Sequence, residues 1–214
     1  MRLVLPRLYV ILDSTLLTIP ALNCAQELAE AGVRLMQYRN KAAPARELLQ
    51  VSRGLASLLS PLEVSFVVND RPDVAALSGA DGVHVGQDDL SPEQARAVVG
   101  ERKWVGVSTH NLDQFREAAA TTADYIAVGP IFATKSKANP DPVVGTKLIR
   151  KVRALTEKPI IAIGGITLET AASVIEAGAD SVAVISDILR APNGGQRAKQ
   201  YLDALGAAKQ NASA

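Results

Sequence analysis

The feature that most constrains the fold is a strand-to-helix alternation that recurs eight times along the chain. Each unit begins with a short apolar run such as Leu8–Leu12, which is typical of a parallel strand buried on both faces. A segment with helical spacing follows each run, as at 45–59 after the second strand and at 197–205 after the last. The pattern therefore predicts an α/β protein built on one parallel sheet.

The junctions that lead from a helix into the next strand also repeat. One form is shared by segments 31–35, 78–83, 122–126 and 176–182. A helix ends at a small residue, an aspartate usually follows, and the next strand then begins. Eight units in about 205 residues, with no linker rich in proline, glycine or serine, favour a closed (β/α)8 TIM barrel over an open doubly wound sheet. We predict a single barrel domain over 1–205 and a disordered tail over 206–214.

Charge and cysteine content narrow the class of partner. Lys and Arg number 23 against 22 Asp and Glu, so the net charge of +1 gives no overall field for nucleic acid or a membrane surface. Cys24 is the single cysteine, which excludes an intrachain disulfide. No apolar run approaches the ~18 residues of a membrane span. We expect a cytoplasmic protein that acts on small molecules.

Polar side chains collect where the predicted strands end, which is the face that carries the active site in barrels of this kind. A chain that used polar residues only for solubility would place them equally at both ends of its strands. In strand order the residues at the strand ends are Gln37, Arg39 and Lys41; Asn69 and Asp70; His84, Asp88 and Asp89; Ser108 and His110; Thr134, Lys135, Ser136 and Lys137; Gly164 and Gly165, which offer backbone groups; and Ile185 and Ser186.

The end of the second strand offers a set of hydrogen-bond donors. If this strand continues through Lys41, its period of two places Gln37, Arg39 and Lys41 on one face. An amide, a guanidinium and an ammonium group together suit a phosphate or a diphosphate. The alternative interpretation is a solvated strand end.

Carboxylates follow the next two strands. Asp70 and Asp89 come after neighbouring strands and can converge on one cation, which beside a diphosphate would be Mg2+. Asp88 competes for the same role, because sequence position alone does not separate adjacent aspartates. Either aspartate could instead cap the helix that follows Ser91.

A second anion site is predicted from the last three strands. The loop from Phe132 to Pro142 is long and mixes hydroxyl groups with lysines; its alternative interpretation is a solvated loop. Gly164–Gly165 and Ile185–Ser186 occupy the position where many barrels bind phosphate through backbone N–H groups. Two anion sites across one barrel mouth suit two phosphorylated substrates.

Taken in order, the segments 37–41, 68–70, 82–90, 106–108, 129–137, 164–166 and 184–186 resemble the motifs of the thiamine-phosphate synthase family, also called thiamine-phosphate pyrophosphorylase. The resemblance implies a transferase that joins 4-amino-2-methyl-5-(diphosphooxymethyl)pyrimidine to 4-methyl-5-(2-phosphoethyl)thiazole. The products would be thiamine phosphate and diphosphate, formed with Mg2+ by a dissociative mechanism in thiamine diphosphate biosynthesis. A homo-oligomer is compatible with the family.

The resemblance also implies roles for single residues. It places the metal ligands at Asp70 and Asp89, not Asp88, and gives Arg39, Lys41 and Lys137 the catalytic role of stabilising the leaving diphosphate. The remaining expected substrate contacts are Gln37 and Asn69 on the diphosphate, Ser108 beside the pyrimidine, and Thr134, Ser136, Gly165, Ile185 and Ser186 on the thiazole phosphate. The sequence departs from the family at Ala133 and Ser136, where proline and a second threonine are common.

Two other functions are considered. A thiazole tautomerase or regulator of the same superfamily would resemble this chain but lack the diphosphate-binding set, which is present here. A non-enzymatic interaction module would leave the strand-end polarity unexplained. Neither histidine is assigned to catalysis: His84 is expected to face the barrel interior, and His110 to cap the fifth helix.

Overall fold

Eight parallel strands form a closed barrel in the computed structural model, which describes residues 3–134 and 141–211. The strands are β1 (Leu8–Asp13), β2 (Leu35–Arg39), β3 (Ser65–Asn69), β4 (Gly82–Val85), β5 (Trp104–Thr109), β6 (Tyr125–Val128), β7 (Ile160–Ile163) and β8 (Ser181–Val184). Each strand pairs with its neighbours in sequence, and β8 pairs with β1 to close the sheet. The predicted (β/α)8 barrel is confirmed.

Helices cover the outside of this barrel. They are α1 (Ala21–Glu30), α2 (Ala45–Leu59), α3 (Pro72–Ser78), α4 (Pro92–Val99), α5 (Leu112–Ala120), α6 (Gly145–Arg153), α7 (Leu168–Glu176), α8 (Ser186–Leu189) and α9 (Gly194–Asn211). Among the helices of the described residues, none combines the length and the hydropathy that a membrane crossing requires.

Alternation along each strand separates two apolar layers. On β1, Tyr9 and Ile11 belong to a cluster inside the barrel, which includes Tyr125 from the opposite side. Leu8 and Val10 belong to the larger cluster between the sheet and the helices. Because side chains on a strand point alternately to its two faces, this register also decides which polar residues reach the barrel interior.

Two boundaries differ from the predictions. Strand β2 ends at Arg39, so Lys41 reaches the barrel mouth from the following loop and does not extend a strand face. Helix α9 continues to Asn211, so the disordered tail predicted for 206–214 is wrong over 206–211, while 212–214 lie outside the described residues. Alanine, lysine and glutamine dominate 207–210 and favour helix, which accounts for the extension.

Gly106 on β5 leaves room for the ring of Tyr125. A Cβ atom at this position would overlap the ring carbons and the hydroxyl oxygen of Tyr125. Tyr125 is almost completely buried, so its ring has little space into which to move.

We therefore expect Gly106→Ala to destabilise the protein by ~1–3 kcal/mol through overpacking. Gly206→Ala is the matched control, because nothing lies within 4 Å of its Cβ and it sits in α9. This variant should gain ~0.5–1 kcal/mol from the higher helix propensity of alanine. Urea unfolding followed by circular dichroism measures both, and equal midpoints for Gly106→Ala and the native protein would contradict the packing described here.

Candidate functional site

Gln37 lies inside the barrel and not at its rim. Its side chain is on the predicted face of β2, but the residue is only 2% exposed, and its Nε2 donates to the hydroxyl of Tyr9 at 2.8 Å. Arg39 follows two residues later on the same face and is half-buried, nearer the mouth. The donor set therefore extends from the interior of the barrel to its opening.

Arg39 is held by a carboxylate that the sequence analysis did not single out. Asp13 ends β1 directly opposite Arg39 in the strand register, and its Oδ2 accepts a charged hydrogen bond from the guanidinium. Asp13 is 2% exposed, and its Oδ1 also accepts from the backbone N–H and the hydroxyl of Thr15. The guanidinium is thereby fixed in orientation, with part of its donor set already used.

Lys41 and Asp70 form an ion pair above the ends of β2 and β3. The Lys41 Nζ lies 2.9 Å from Asp70 Oδ2, and the two side chains are 58% and 20% exposed. Asp70 has a φ of 61°, which is rare for a residue other than glycine, and its N–H donates to the His84 carbonyl at 2.8 Å. Asn69 precedes it at the end of β3 and is half-buried at the same rim.

Asp89 lies close enough to Asp70 for the two carboxyl groups to interact. Burial raises the pKa of Asp89 above its ordinary range, and the hydrogen bond and negative charge of Asp70 raise it further. The N–H of Gly86 opposes this rise by donating to Asp89 Oδ2 at 2.7 Å. A carboxyl group whose pKa is raised by burial and by a neighbouring carboxylate is one whose charged form a bound cation would stabilise.

The helix-capping alternative for the adjacent aspartates is wrong. Ser91 caps α4 in a capping box with Gln94, so neither aspartate has that role. Asp88 is exposed, whereas Asp89 is half-buried against Gly86.

The carboxylate pair fits Mg2+ better than a softer metal. Within the described residues, no group of three or more His, Cys, Asp or Glu side chains converges as a metal site would require. Mg2+ is commonly held by one or two carboxylates and completes its coordination with phosphate oxygens and water. Asp70 and Asp89 match that donor set, with oxygen ligands only.

The opposite side of the mouth contains a cavity of about 380 Å3 between the ends of β7 and β8 and the segment after β6. It brings together five residues predicted for the second anion site, Thr134, Gly164, Gly165, Ile185 and Ser186. The lining also includes Asp187 and Arg190, which the sequence analysis did not select. Ser136 and Lys137 lie outside the described residues.

Gly164 and Gly165 also have a packing role. Both have positive φ, and a Cβ at Gly165 would overlap the carbonyl of Ala133. The N–H of Phe132 donates to the Gly164 carbonyl at 2.9 Å. The glycine pair therefore allows the segment after β6 to lie directly against the end of β7.

The two histidines have different surroundings. His84 faces the barrel interior, as expected, and burial lowers its pKa to about 4, so the ring is neutral near pH 7. His110 does not cap α5, because the Asn111 side chain accepts from the N–H groups of Asp113 and Gln114. Instead, His110 Nδ1 lies 2.7 Å from the Gly129 carbonyl.

A larger groove, of about 690 Å3, lies on the outside of the barrel between α1 and the start of α9. It contains none of the predicted site residues. The barrel mouth is therefore the candidate site.

Comparison with known proteins points to one family. A family model described as thiamine monophosphate synthase matches residues 8–188. The thiamine-phosphate synthase of Koribacter versatilis (strain Ellin345) is 55% identical over 208 residues, which cover 94% of this chain and 96% of the relative. That of Agrobacterium fabrum (strain C58 / ATCC 33970) is 39% identical and covers 94% of each chain.

A solved structure agrees with these relatives. The thiamine phosphate pyrophosphorylase from Pyrococcus furiosus superimposes with a TM-score of 0.86 at 32% identity, over 94% of this chain and 96% of that one. The similarity extends over nearly the full length of both chains.

The low pKa of His84 should make the protein less stable in acid. The imidazole of His84 is protonated near pH 6.5 in the unfolded chain but only near pH 4 in the folded chain. The contribution of the neutral ring to the free energy of unfolding is therefore complete above pH 6.5 and is lost as the pH falls toward 4. One proton corresponds to a slope of at most ~1.4 kcal/mol per pH unit. Urea unfolding across this range should show a steeper loss of stability in the native protein than in His84→Gln; equal slopes would contradict a buried neutral imidazole.

Proposed function

The chain belongs to the thiamine monophosphate synthase family and makes thiamine phosphate, and on this premise we propose how its barrel mouth divides two substrates. One is 4-amino-2-methyl-5-(diphosphooxymethyl)pyrimidine, and the other is 4-methyl-5-(2-phosphoethyl)thiazole. The observation that carries the proposal is that two sites lie apart at the barrel mouth. The ion pairs Asp13–Arg39 and Lys41–Asp70 lie at the ends of β1 to β3, and the cavity lies at the ends of β6 to β8. The diphosphate binds at the first and the thiazole phosphate at the second.

The diphosphate contacts come from Arg39, Lys41 and Asn69. Asp13 holds the guanidinium in place, and Lys41 is half-exposed above Asp70, where it can pair with an incoming phosphate oxygen. The buried position of Gln37 beside Tyr9 supports a contact with the pyrimidine ring in place of the diphosphate contact expected from the sequence. Ser108, half-buried near the end of β5, is the other pyrimidine contact.

Asp70 and Asp89 would hold Mg2+. The raised pKa of Asp89 beside Asp70 supports this assignment, because a cation would relieve the repulsion between the two carboxylates. When bound, the ion supplies positive charge that stabilises the oxygens of the departing diphosphate.

The reaction proceeds by cleavage before bond formation. The bond between the pyrimidine methylene carbon and the diphosphate oxygen breaks, and its electron pair leaves with the diphosphate. The resulting pyrimidine-methyl cation is captured by the lone pair of the thiazole nitrogen, which forms the new C–N bond. Arg39 and Lys41 stabilise the growing negative charge, an effect of ~3 kcal/mol for a well-placed donor. Lys137, which lies outside the described residues, is the third cation proposed for this role.

The thiazole phosphate binds in the cavity lined by Thr134, Gly165, Ile185 and Ser186. Residue 136 contributes a second hydroxyl in this proposal, although it lies outside the described residues. The cavity opens toward the same barrel mouth as the residues that bind the diphosphate. The thiazole nitrogen can therefore approach the pyrimidine-methyl cation while the diphosphate and the thiazole phosphate remain bound.

The diphosphate-binding residues also distinguish the enzyme from a tautomerase or a regulator. Arg39 and Lys41 stand with carboxylate partners at the mouth, which a protein that binds only thiazole phosphate would not require. We expect the enzyme in the cytoplasm, without a nucleic-acid or membrane partner, and compatible with a homo-oligomer.

Asp70→Asn and Asp89→Asn should each lower thiamine phosphate formation by ~100-fold or more, because a cation site with one carboxylate stabilises the leaving group poorly. Asp88→Asn is the matched control, since it removes the adjacent, exposed carboxylate. It should retain activity within about threefold, as surface substitutions usually do. Product formation from both substrates with Mg2+ measures all three.

The outcome that would contradict the proposal is near-normal turnover by Asp70→Asn and Asp89→Asn. A loss in Asp88→Asn with normal turnover in Asp89→Asn would move the metal site to the other aspartate. Circular dichroism of each variant establishes that the fold is retained.

A further inference from the structure

A line of hydrogen-bonded side chains crosses the barrel interior beneath the site. Gln37 Nε2 lies 2.8 Å from the Tyr9 hydroxyl, which is 3.5 Å from the hydroxyl of Tyr125. The Tyr125 hydroxyl is 3.2 Å from His84 Nδ1, and His84 Nε2 is 2.8 Å from Ser108 Oγ. The line starts at one proposed pyrimidine contact, Gln37, and ends at the other, Ser108.

The Gln37 amide favours one direction of donation along the line. The Gln37 amide donates to the hydroxyl oxygen of Tyr9. The hydroxyl proton of Tyr9 can then be donated in a hydrogen bond to the oxygen of Tyr125. Tyr125 then has its proton available for His84 Nδ1. A neutral imidazole carries one N–H, so a ring that accepts at Nδ1 must donate at Nε2.

The ring of His84 meets the conditions that this direction requires. It is 8% exposed and stacks on Tyr125, with the ring centroids 5.6 Å apart. Burial disfavours a charged imidazole, and each ring nitrogen has one hydroxyl partner, so a single neutral tautomer satisfies both contacts. Burial also raises the pKa of Tyr125 well above its ordinary value, so the phenol keeps the proton that it donates.

We infer that His84 is a positioning residue that is held as the Nε2–H tautomer by Tyr125 and donates to Ser108, so that Ser108 presents its own proton to the substrate. Because the Ser108 oxygen accepts from His84, its proton is not used in that bond and is free to point toward the mouth. A pyrimidine ring nitrogen accepts such a proton. The inference rests on the proposed function only for the identity of that acceptor; the tautomer is a property of the protein alone.

The tautomer can be measured directly. The chain has two histidines, so 15N-histidine labelling gives two imidazole spectra, and His110→Gln assigns them. We expect the proton of His84 on Nε2. His110 is the reference for a ring that carries a proton on Nδ1, because its Nδ1 lies 2.7 Å from the Gly129 carbonyl, while its Nε2 faces the Asp141 carboxylate at 3.6 Å. A His84 ring protonated on Nε2 alone supports the inference, and a His84 ring protonated on Nδ1 overturns it, whatever the activity of the enzyme.

Kinetics then test the consequence for the substrate. Tyr125→Phe keeps the ring over Gly106 but removes the proton given to Nδ1. It should produce a mixture of His84 tautomers and raise the KM for the pyrimidine diphosphate by about fivefold, with kcat and the KM for the thiazole phosphate little changed. A lost ground-state contact raises KM alone, whereas a general loss of structure would change all three constants.

Two substitutions of His84 test whether another hydrogen-bond donor can replace the imidazole. His84→Gln offers an amide donor toward Ser108 and should show a smaller rise in this KM than His84→Leu, which offers none. Equal KM values for His84→Gln, His84→Leu and the native enzyme would overturn the role of His84. If no variant, including the native protein, forms thiamine phosphate, the proposed function fails while the NMR result still decides the tautomer.

Discussion

Closure of the parallel sheet is the constraint on which the rest of the structure depends. Because β8 pairs with β1 and all eight strands run in the same direction, every strand ends at one rim. Residues far apart in the sequence therefore share a register. Asp13 meets Arg39 across the pair β1 and β2, and Asn69 stands beside His84 across β3 and β4. The site is assembled by the hydrogen-bond ladders of the barrel and not by any single loop.

Charge is arranged at this rim before a substrate arrives. Arg39 is oriented by a buried carboxylate, and Lys41 is paired with Asp70 in a more exposed position. Asp89, in contrast, has a raised pKa, first because it is partly buried and then because the carboxyl group of Asp70 lies beside it. In the proposed reaction, partners that are already fixed would need little reorganisation as negative charge develops on the leaving diphosphate. Beneath them, the line of tyrosines and His84 extends this order into the barrel interior.

Much of the fold could be predicted because buried parallel strands appear as apolar runs in the sequence. Helical spacing was equally informative, since the helix predicted over 45–59 has the observed bounds. The prediction failed where the outcome depends on three-dimensional register. Asp13 could be identified as the partner of Arg39 only from the strand register, which places the two residues opposite each other. The signal available in the sequence was a carboxylate at the end of β1. The strand end before Lys41 and the choice of Asn111 as a helix cap depend on local hydrogen bonds that spacing does not reveal. Chain order alone placed carboxylates after β3 and β4 on one rim, whereas the choice of Asp89 over Asp88 came from the family resemblance.

The most direct test is a crystal structure with Mn2+ in place of Mg2+ and with both diphosphate and the thiazole phosphate bound, using anomalous scattering to locate the metal. The arrangement described here places the anomalous peak between Asp70 and Asp89, with diphosphate oxygens on Arg39 and Lys41 and the thiazole phosphate against Gly165 and Ser186. A metal bound elsewhere, or a diphosphate on the Gly165 side of the mouth, would contradict the division of the barrel mouth into a leaving-group side and a nucleophile side.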